Sequence, residues 1–581
     1  MRRHALALTA ILVTACGGGG GGGDTGTGAT PSPLPGGAAV TRTALDETFG
    51  PAPAVAPPTS TEGGGSASFV SRSAGCTLAY TLTAAPALAA GPDPLLSQQW
   101  HLSNTGQTGG TPGIDLRLAG ASGAWTLAPG RGAGVRVAVI DDALEVLHPD
   151  LRPNVVELAS HDYRDGDAWP LPCTASDDRH GTAVGGIVAA RDGNALGVAG
   201  VAPRALLVGY NALATGSSAD TSDAMTRGLA ANAIYQNSWG NPDDGGPNEV
   251  GTLWENAVER GLAQGRGGRG AVYVFSGGNG GNSAPLIRGT DDANLDGYVN
   301  KRGVIAVCAM DQDGRAPSYA EPGSNILVCG TGGDGATAIA TTDILSGYRP
   351  VTDSFTGTSA AAPTVAGVVA QMLAVNPNLS WRDVRLILAQ TARETPAAAA
   401  DPAAGWQASA LTPGKRVSRL YGFGLADAAA AVRAAAGWAS VGGRDALIAC
   451  DSGMAEWQAA IPDDAATGVA SAVALPGCGI RRVEWVEVTF SSDHPYSADL
   501  DIRLRSPSGS ESQLVAQRRC FNSLGTTAAD NPCRRPYDAW RFGSVRFMGE
   551  PAAGGWALTV SDRDPGETGR ALRWRLRVFG S

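Results

Sequence analysis

The sequence predicts two folded parts of different class: an α/β domain on a doubly wound parallel sheet, followed by an all-β sandwich. Two observations carry this. From about residue 93 to 435, short β-branched runs alternate with helical stretches, which implies parallel strands covered on both faces. After about residue 440 the apolar period becomes two, the pattern of a half-buried antiparallel sheet. Composition agrees. The 581 residues are 43% hydrophobic and 17% charged, enough apolar content for a sizeable core. The net charge of −10 argues against a general nucleic-acid binder, which needs a basic face, and leaves room for basic substrates and for cations.

The chain opens with Arg2 and Arg3, an apolar run over 5–15 and then Cys16. A basic start, a short apolar run and a small-residue end read as an export signal. No apolar run reaches the roughly 18 residues needed to span a bilayer. Val13-Thr14-Ala15-Cys16 resembles the bacterial lipobox, which implies that Cys16 is lipidated and becomes the new N-terminus. The seven glycines at 17–23 suit a flexible tether behind such an anchor. The expected organisation is a signal over 1–15, a Gly/Pro/Ala-rich tether over 16–90, an α/β domain over 91–438 and a β domain over 439–581. Without Cys16, eight cysteines remain, an even number in an exported chain. Spacing favours Cys308–Cys329, Cys450–Cys478 and Cys520–Cys533, leaving Cys76–Cys173 by elimination; sequence alone does not fix the pairing. No C-x-x-C pair supports a metal-binding alternative.

Within the α/β part, strands are expected over 135–140, 205–209, 271–276 and 303–309. An Ala/Val-rich helix is expected over 360–373, ending before Asn376-Pro377, and another over 381–391 with Val384, Ile387 and Leu388 on one face. In the β part, Leu500, Ile502 and Leu504 alternate with Asp501, Arg503 and Arg505. Leu572, Trp574, Leu576 and Val578 alternate with arginines in the same way. Ser506-Pro507-Ser508-Gly509 marks a turn.

Three segments carry chemistry. Val137-Ala138-Val139-Ile140-Asp141-Asp142 is a buried strand ending in carboxylates, and the C-terminal ends of parallel strands line the crevice of open α/β folds. Arg179-His180-Gly181-Thr182-Ala183 leads into a small-residue helix. Gly357-Thr358-Ser359-Ala360-Ala361-Ala362-Pro363 puts a serine at a helix start. Singly, Asp141 and Ser359 could be helix caps and His180 structural. Together, in the order Asp, His, Ser, they resemble the subtilase superfamily. The resemblance implies that Ser359 is the nucleophile, His180 its base and Asp141 the group that orients the imidazole. It also implies that Asn279, in Ser276-Gly277-Gly278-Asn279-Gly280-Gly281, is the oxyanion donor. His148, in His148-Pro149-Asp150-Leu151, matches a family motif in which it is structural.

Finer features resemble the kexin/furin-like branch. Asp141-Asp142 resembles its acidic pair, Asn237-Ser238-Trp239-Gly240-Asn241-Pro242-Asp243-Asp244-Gly245 its substrate-binding strand and adjoining acidic loop, and Leu295-Asp296-Gly297-Tyr298 an acidic segment of its S1 pocket. The β part resembles its P, or homo B, domain, most specifically over 499–509. The resemblance implies substrate contacts by Asp142, Asp177, Ser238, Trp239, Gly240, Asp243 and Asp296, with Asp142 and Asp177 near S2. It implies calcium at Asp93, Asp150 and Asn194, and at Asp243, Asp291 and Glu321. Asp162, Asp165 and Asp167 resemble part of a third site, where Trp169 replaces a carboxylate. Calcium takes six to eight oxygens, which dispersed acids brought together by a fold can supply. The branch usually has a propeptide that assists folding. Residues 17–90 resemble none, so a separate folding helper is one possible substitute.

The expectation is an exported, lipid-anchored, calcium-dependent serine endopeptidase of the bacterial cell envelope, acting on proteins or peptides with a basic P1 residue, arginine over lysine. Two alternatives stay open: a broad-specificity subtilisin, and a catalytically silent binding or adhesion lipoprotein.

Overall fold

The computed structural model describes residues 67–70, 75–82, 89–281, 291–353, 355–518 and 533–581, with 67–70 and 81–82 as backbone alone. Cys16, the glycine run and Cys520 lie outside the described residues.

Six parallel strands form the central sheet: β1 (Arg136–Ile140), β2 (Leu206–Tyr210), β3 (Ile234–Asn237), β4 (Val272–Ser276), β5 (Val304–Met310) and β6 (Ile326–Thr331). Their order is β2-β1-β3-β4-β5-β6. The chain leaves β1 toward one edge and continues from β3 toward the other. The switch point, where an open sheet leaves a crevice beyond its strand ends, therefore falls between β1 and β3.

The main helices are α1 (His180–Ala189), α2 (Thr252–Gln264), α3 (Thr358–Val375), α4 (Trp381–Thr391) and α5 (Ala428–Ala436). α3 packs on β3 to β6 and on α1 and α5, so it is buried on nearly every side. Its Ala, Gly and Val side chains permit that close approach, and its sequence shows no polar face. α4 starts with a capping box between Ser380 and Asp383, which satisfies two otherwise orphaned N–H groups.

The C-terminal part is a sandwich of two four-stranded antiparallel sheets. With β7 (Ile448–Ile461), β8 (Val469–Leu475), β9 (Val483–Ser492), β10 (Leu500–Arg505), β11 (Glu511–Val515), β12 (Trp540–Ser544), β13 (Gly554–Asp562) and β14 (Gly569–Gly580), the orders are β7-β14-β9-β12 and β8-β13-β10-β11. Leu500, Ile502, Leu504, Trp556, Leu558, Val560, Trp574, Leu576 and Val578 are all buried between the sheets, as their alternation predicts. β9 is buried on both faces. Val486, Val488 and Phe490 join the sandwich core, while Trp485 joins the core of the α/β part. Beside Trp485, Glu484 receives a two-pronged bond from the buried Arg382 of α4. Breaking such a buried pair from one side costs about 3–5 kcal/mol.

Three disulfides match the expected pairing: Cys76–Cys173, Cys308–Cys329 and Cys450–Cys478. Cys533 is also disulfide-bonded. The first bridge corrects the extent of the expected tether. Thr77 and Leu78 donate their N–H groups to the Cys173 carbonyl, and Tyr80 is buried in the main core, so the segment around Cys76 belongs to the folded domain.

Candidate active site

β1 ends at Ile140 and β3 at Asn237, and these residues face each other across the sheet. Asp141 and Ser238 follow them directly, at the switch point. The Trp239 indole locks the two strand ends together by donating to the Ile140 carbonyl at 2.9 Å. Asp141 is 2% exposed, and its Oδ1 lies 2.8 Å from His180 Nδ1, at the first residue of α1. Phe355, four residues before Ser359, sets its ring 5.4 Å from the imidazole. Desolvation lowers the His180 pKa, but the Asp141 charge and hydrogen bond, with help from Asp142, outweigh it and carry it up to about 9.

Ser359 is the second residue of α3. Its hydroxyl donates to the Ser238 carbonyl at 3.2 Å, and the Ser238 hydroxyl donates back to the Ser359 carbonyl at 2.8 Å. Pro363 explains the second bond. In a regular helix the N–H four residues on would occupy the Ser359 carbonyl, and proline has none. The freed carbonyl ties the start of α3 to the end of β3. Asn279, in the loop after β4, accepts on Oδ1 from the Thr358 N–H and hydroxyl, both at 2.9 Å. This fixes the amide plane. Among the described residues its Nδ2 donors have no acceptor, and the first-turn N–H groups of α3 lie beside them.

Two acidic groups flank this centre. Asp243, Asp291 and Glu321 bring oxygens within 4.8 Å of one another. Burial, with the mutual charge of the group, pushes Asp291 and Glu321 well above the ordinary carboxylate range and raises Asp243. A Cβ on Gly280 would stand 2.8 Å from the Cβ atoms of Asp243 and Asp291, so glycine is what lets the loop close over the three acids. Three crowded carboxylates, Asp291 and Glu321 buried and Asp243 open to solvent, form a hard-oxygen donor set that fits calcium. Asp93, Asp150 and Asn194 also converge, but their polar atoms are used internally: Asp93 accepts from the Gly193 and Asn194 N–H groups, and Asp150 from Asn194 Nδ2 and the Val198 N–H. Asp162, Asp165 and Asp167 come within the same 4.8 Å, with Asp165 and Asp167 exposed.

The remaining candidates divide. Asp296 lies against the strand end, accepting from the Asn241 N–H and side chain and from the Tyr298 N–H, and burial raises it to about 6. Asp177 is exposed, three residues before His180. Trp239 is half-buried, its ring packed on Phe275 and Tyr298 and its backbone continuing the end of β3 between Ser238 and Gly240. Asp142 is half-buried and accepts the Ala143, His180 and Gly181 N–H groups, and burial with the Asp141 charge raises its carboxyl to about 7. His148 is buried and structural, with Nε2 on the Gly347 carbonyl and Nδ1 receiving the Asp150 N–H. Sequence reasoning missed Thr358 and Pro363 as parts of the centre, although both stand in the quoted motif.

Fold and site together define a subtilase. Residues 132–424 match the subtilase family and residues 483–578 the proprotein convertase P-domain, so the chain belongs to the subtilase family and carries a P domain behind the α/β domain. Protease KEX1 of Kluyveromyces lactis is 34% identical over 494 residues, covering 84% of this chain and 60% of that protein. Neuroendocrine convertase 2 of Homo sapiens is 32% identical over 508 residues, covering 84% and 74%. The chain thus spans about three fifths of the first relative's length. The crystal structure of Aeromonas sobria serine protease with a chaperone has a TM-score of 0.72 at 28% identity, covering 84% of this chain and 95% of that chain.

Proposed function

We propose that the protein is a kexin-like, calcium-dependent serine endopeptidase that cleaves after basic residues, arginine over lysine. The observation that carries this reading is the 2.8 Å Asp141–His180 contact beside a serine at a helix start and an asparagine whose amide is held by Thr358. In this reading His180 takes the proton of Ser359 as its Oγ bonds to the scissile carbonyl carbon. Asn279 Nδ2 and the Ser359 N–H receive the oxyanion. His180 then gives the proton to the leaving amine, and water reverses the sequence to release the acyl group. Ser238 and Gly240 offer backbone to the substrate strand.

Asp243 and Asp296 supply charge for a P1 cation, and a guanidinium pairs with carboxylates through a planar fork that lysine lacks. Asp243, Asp291 and Glu321 would hold calcium, which neutralises the acids beneath that pocket; Asp93, Asp150 and Asn194 are a second candidate set. Cys16 lipidation would anchor the exported protein to the cell envelope. The chaperone bound to the Aeromonas protease supports a separate folding helper here.

The test is kcat/KM on matched peptides with P1 Arg, Lys, Leu and Phe, with and without chelator, for the wild type, Ser359→Ala and Asp296→Asn. Arg should lead, Asp296→Asn should lose most of that lead, and Ser359→Ala should fall by about 10⁴-fold or more. Full activity in the alanine variant sinks the mechanism, and equal turnover of Leu and Arg makes the protein a broad-specificity subtilisin.

A further inference from the structure

We propose that the P domain holds a divalent transition-metal ion of the zinc class, bound by His494 Nε2 and the carboxylates of Asp499 and Asp562. This inference is independent of the catalytic reading and of the calcium sites. The three residues meet at one end of the sandwich. His494 follows β9, Asp499 directly precedes β10, and Asp562 ends β13, opposite Leu500 in the ladder. One imidazole nitrogen and one oxygen from each carboxylate lie within 4.8 Å of one another. His494 and Asp562 are fully buried, and Asp499 is half-buried. A buried charge is stable only when paired or bound to a metal. The backbone is shaped for this approach. A Cβ at Gly569, the first residue of β14, would fall 2.4 Å from His494 Cα, so glycine is what lets β14 start so close.

The hydrogen bonds show what these groups lack. His494 Nδ1 lies 2.9 Å from the Tyr496 carbonyl, with the Tyr496 N–H farther off at 3.3 Å, which assigns the ring proton to Nδ1. The Nε2 lone pair then points at Asp562 Oδ2, 3.1 Å away. Two acceptors that close need a cation. A second proton on the ring would answer Asp562 alone, because a proton joins two atoms. Asp499 would remain a third convergent ligand, and among the described residues its carboxylate receives no hydrogen bond. The charged groups facing Asp499 are His494, Asp562, Asp564 and Arg518, so three carboxylates meet one fixed cation. That arginine is already committed to Gly245, Ser497 and Tyr537. Neighbouring ligands on a tetrahedral zinc stand roughly 3.3 Å apart, which the His494–Asp562 spacing matches. An imidazole in the set favours zinc and its neighbours over calcium, which takes oxygens. An Nδ1–H held by a main-chain carbonyl is the outer bond that orients a metal-bound histidine. The ion would fasten the loop between β9 and β10 to the end of β13.

The experiment titrates Co2+, a coloured stand-in for zinc, into the full-length protein in saturating calcium, after a chelator selective for transition metals has stripped it. Zn2+ is then added in competition, and Tm is measured with and without each metal. The wild type is compared with Asp499→Asn and His494→Gln. We expect the wild type to bind Co2+ with a visible spectrum of mixed nitrogen and oxygen ligation, to release it to Zn2+, and to gain Tm with either ion. Each variant removes a direct ligand, so each should weaken Co2+ binding by more than the roughly 10–100-fold that outer-shell changes cost. Asp499→Asn should keep the metal-free Tm of the wild type and lose the metal-induced rise. That variant keeps the test decisive if His494→Gln does not fold. Co2+ held elsewhere, at His180 for example, would survive both substitutions. A wild type that takes up no Co2+ overturns the proposal, and so does an Asp499→Asn protein with unchanged Co2+ affinity and spectrum. Either result makes His494 and Asp562 a proton-bridged pair and leaves the Ser359 mechanism, which is read from peptide hydrolysis, untouched.

Discussion

Two groups of carboxylates stand at the same edge of the sheet, and they are satisfied in opposite ways. Asp141 and Asp142 are answered by the protein itself: an imidazole, the Asp142 N–H on Asp141, and three N–H groups on Asp142. Asp243, Asp291 and Glu321 receive few donors for six oxygens: the Asn279 N–H on Asp243, the Gly245 and Asp292 N–H groups on Asp291, and the Gly280 N–H on Glu321. No cationic side chain makes a salt bridge with any of these three among the described residues. The first pair is not fully satisfied, since Asp141 Oδ2 is buried without a partner and burial and the Asp141 charge raise Asp142 to about 7, but it has His180 as an internal cation, whereas the second group needs a cation from outside. The Asp93 group falls between them, with its oxygens already accepting N–H donors.

The largest effect that can break this contrast lies in the first group. Asp141→Asn keeps the shape but presents the wrong partner to Nδ1, so kcat should fall about 10⁴-fold. The same variant loses the main charge holding His180 protonated toward about 9. The wild-type kcat/KM should therefore keep rising from neutral pH to about pH 9 as the imidazole loses its proton, and a plateau already reached below pH 7 contradicts the assignment.

The second group should respond to calcium and not to charge removal alone. Its acids have folded-state pKa values above their unfolded ones, so without a cation the native state holds extra protons. Stability from such groups is full below the unfolded pKa and is lost as pH rises through the folded one. Chelated protein should thus lose Tm on going from pH 5 to pH 8. Calcium at about 100 times its Kd should restore about 2.7 kcal/mol. A chelated protein with the Tm of the calcium form at pH 8 refutes the site.

Much of this was legible in the sequence, and the gaps have physical causes. Asp141, His180, Asn279 and Ser359 stand in motifs whose order and contexts exposed them. The helix expected over 360–373 begins at Thr358, because the functional serine is inside the first turn and not ahead of it. β3 carries no apolar run to read: Gln236 and Asn237 are buried, held by bonds to Ser238 Oγ and to the Tyr235 carbonyl. α2 is a helix outside the sequence expectation, although Trp254, Val258 and Leu262 recur every fourth residue on its buried face. That Asp142 accepts the first N–H groups of α1 left no trace in the sequence, since it depends on where α1 docks. The same holds for the double burial of β9, whose Trp485 and Val486 read as ordinary alternation until a second domain covers the outer face.

The smallest predicted effect sharpens the comparison by crossing between domains. The first acidic group is held wholly by the α/β domain, whereas the second leans on the P domain. Arg518, buried at the end of the described loop after β11, donates Nε to the Gly245 carbonyl at 2.6 Å. The N–H of that same Gly245 is donated to Asp291 at 2.9 Å. One residue therefore connects a sandwich arginine to a candidate calcium ligand. The neighbouring segment is held in the same way, with Asn294 bonded to the Leu514 and Gly543 carbonyls and to the Gly543 N–H. Arg518→Met keeps the volume of the side chain and removes its donors. The variant also loses longer bonds to Ser497 and Tyr537 inside the sandwich. The bond to Gly245, which is the one that reaches the calcium loop, is worth about 1.5–3 kcal/mol, of which the loop can recover part by relaxing. We expect calcium to bind about tenfold more weakly, equivalent to ~1.4 kcal/mol. KM for Arg-P1 peptides should rise at limiting calcium, and kcat and the acid limb of its pH profile should hold, because neither Asp141 nor Asp142 touches the sandwich. Isothermal titration of the full-length variant with calcium, alongside the pH profile, measures both halves. An unchanged calcium affinity would show that the two acidic groups are alike in depending on the α/β domain alone.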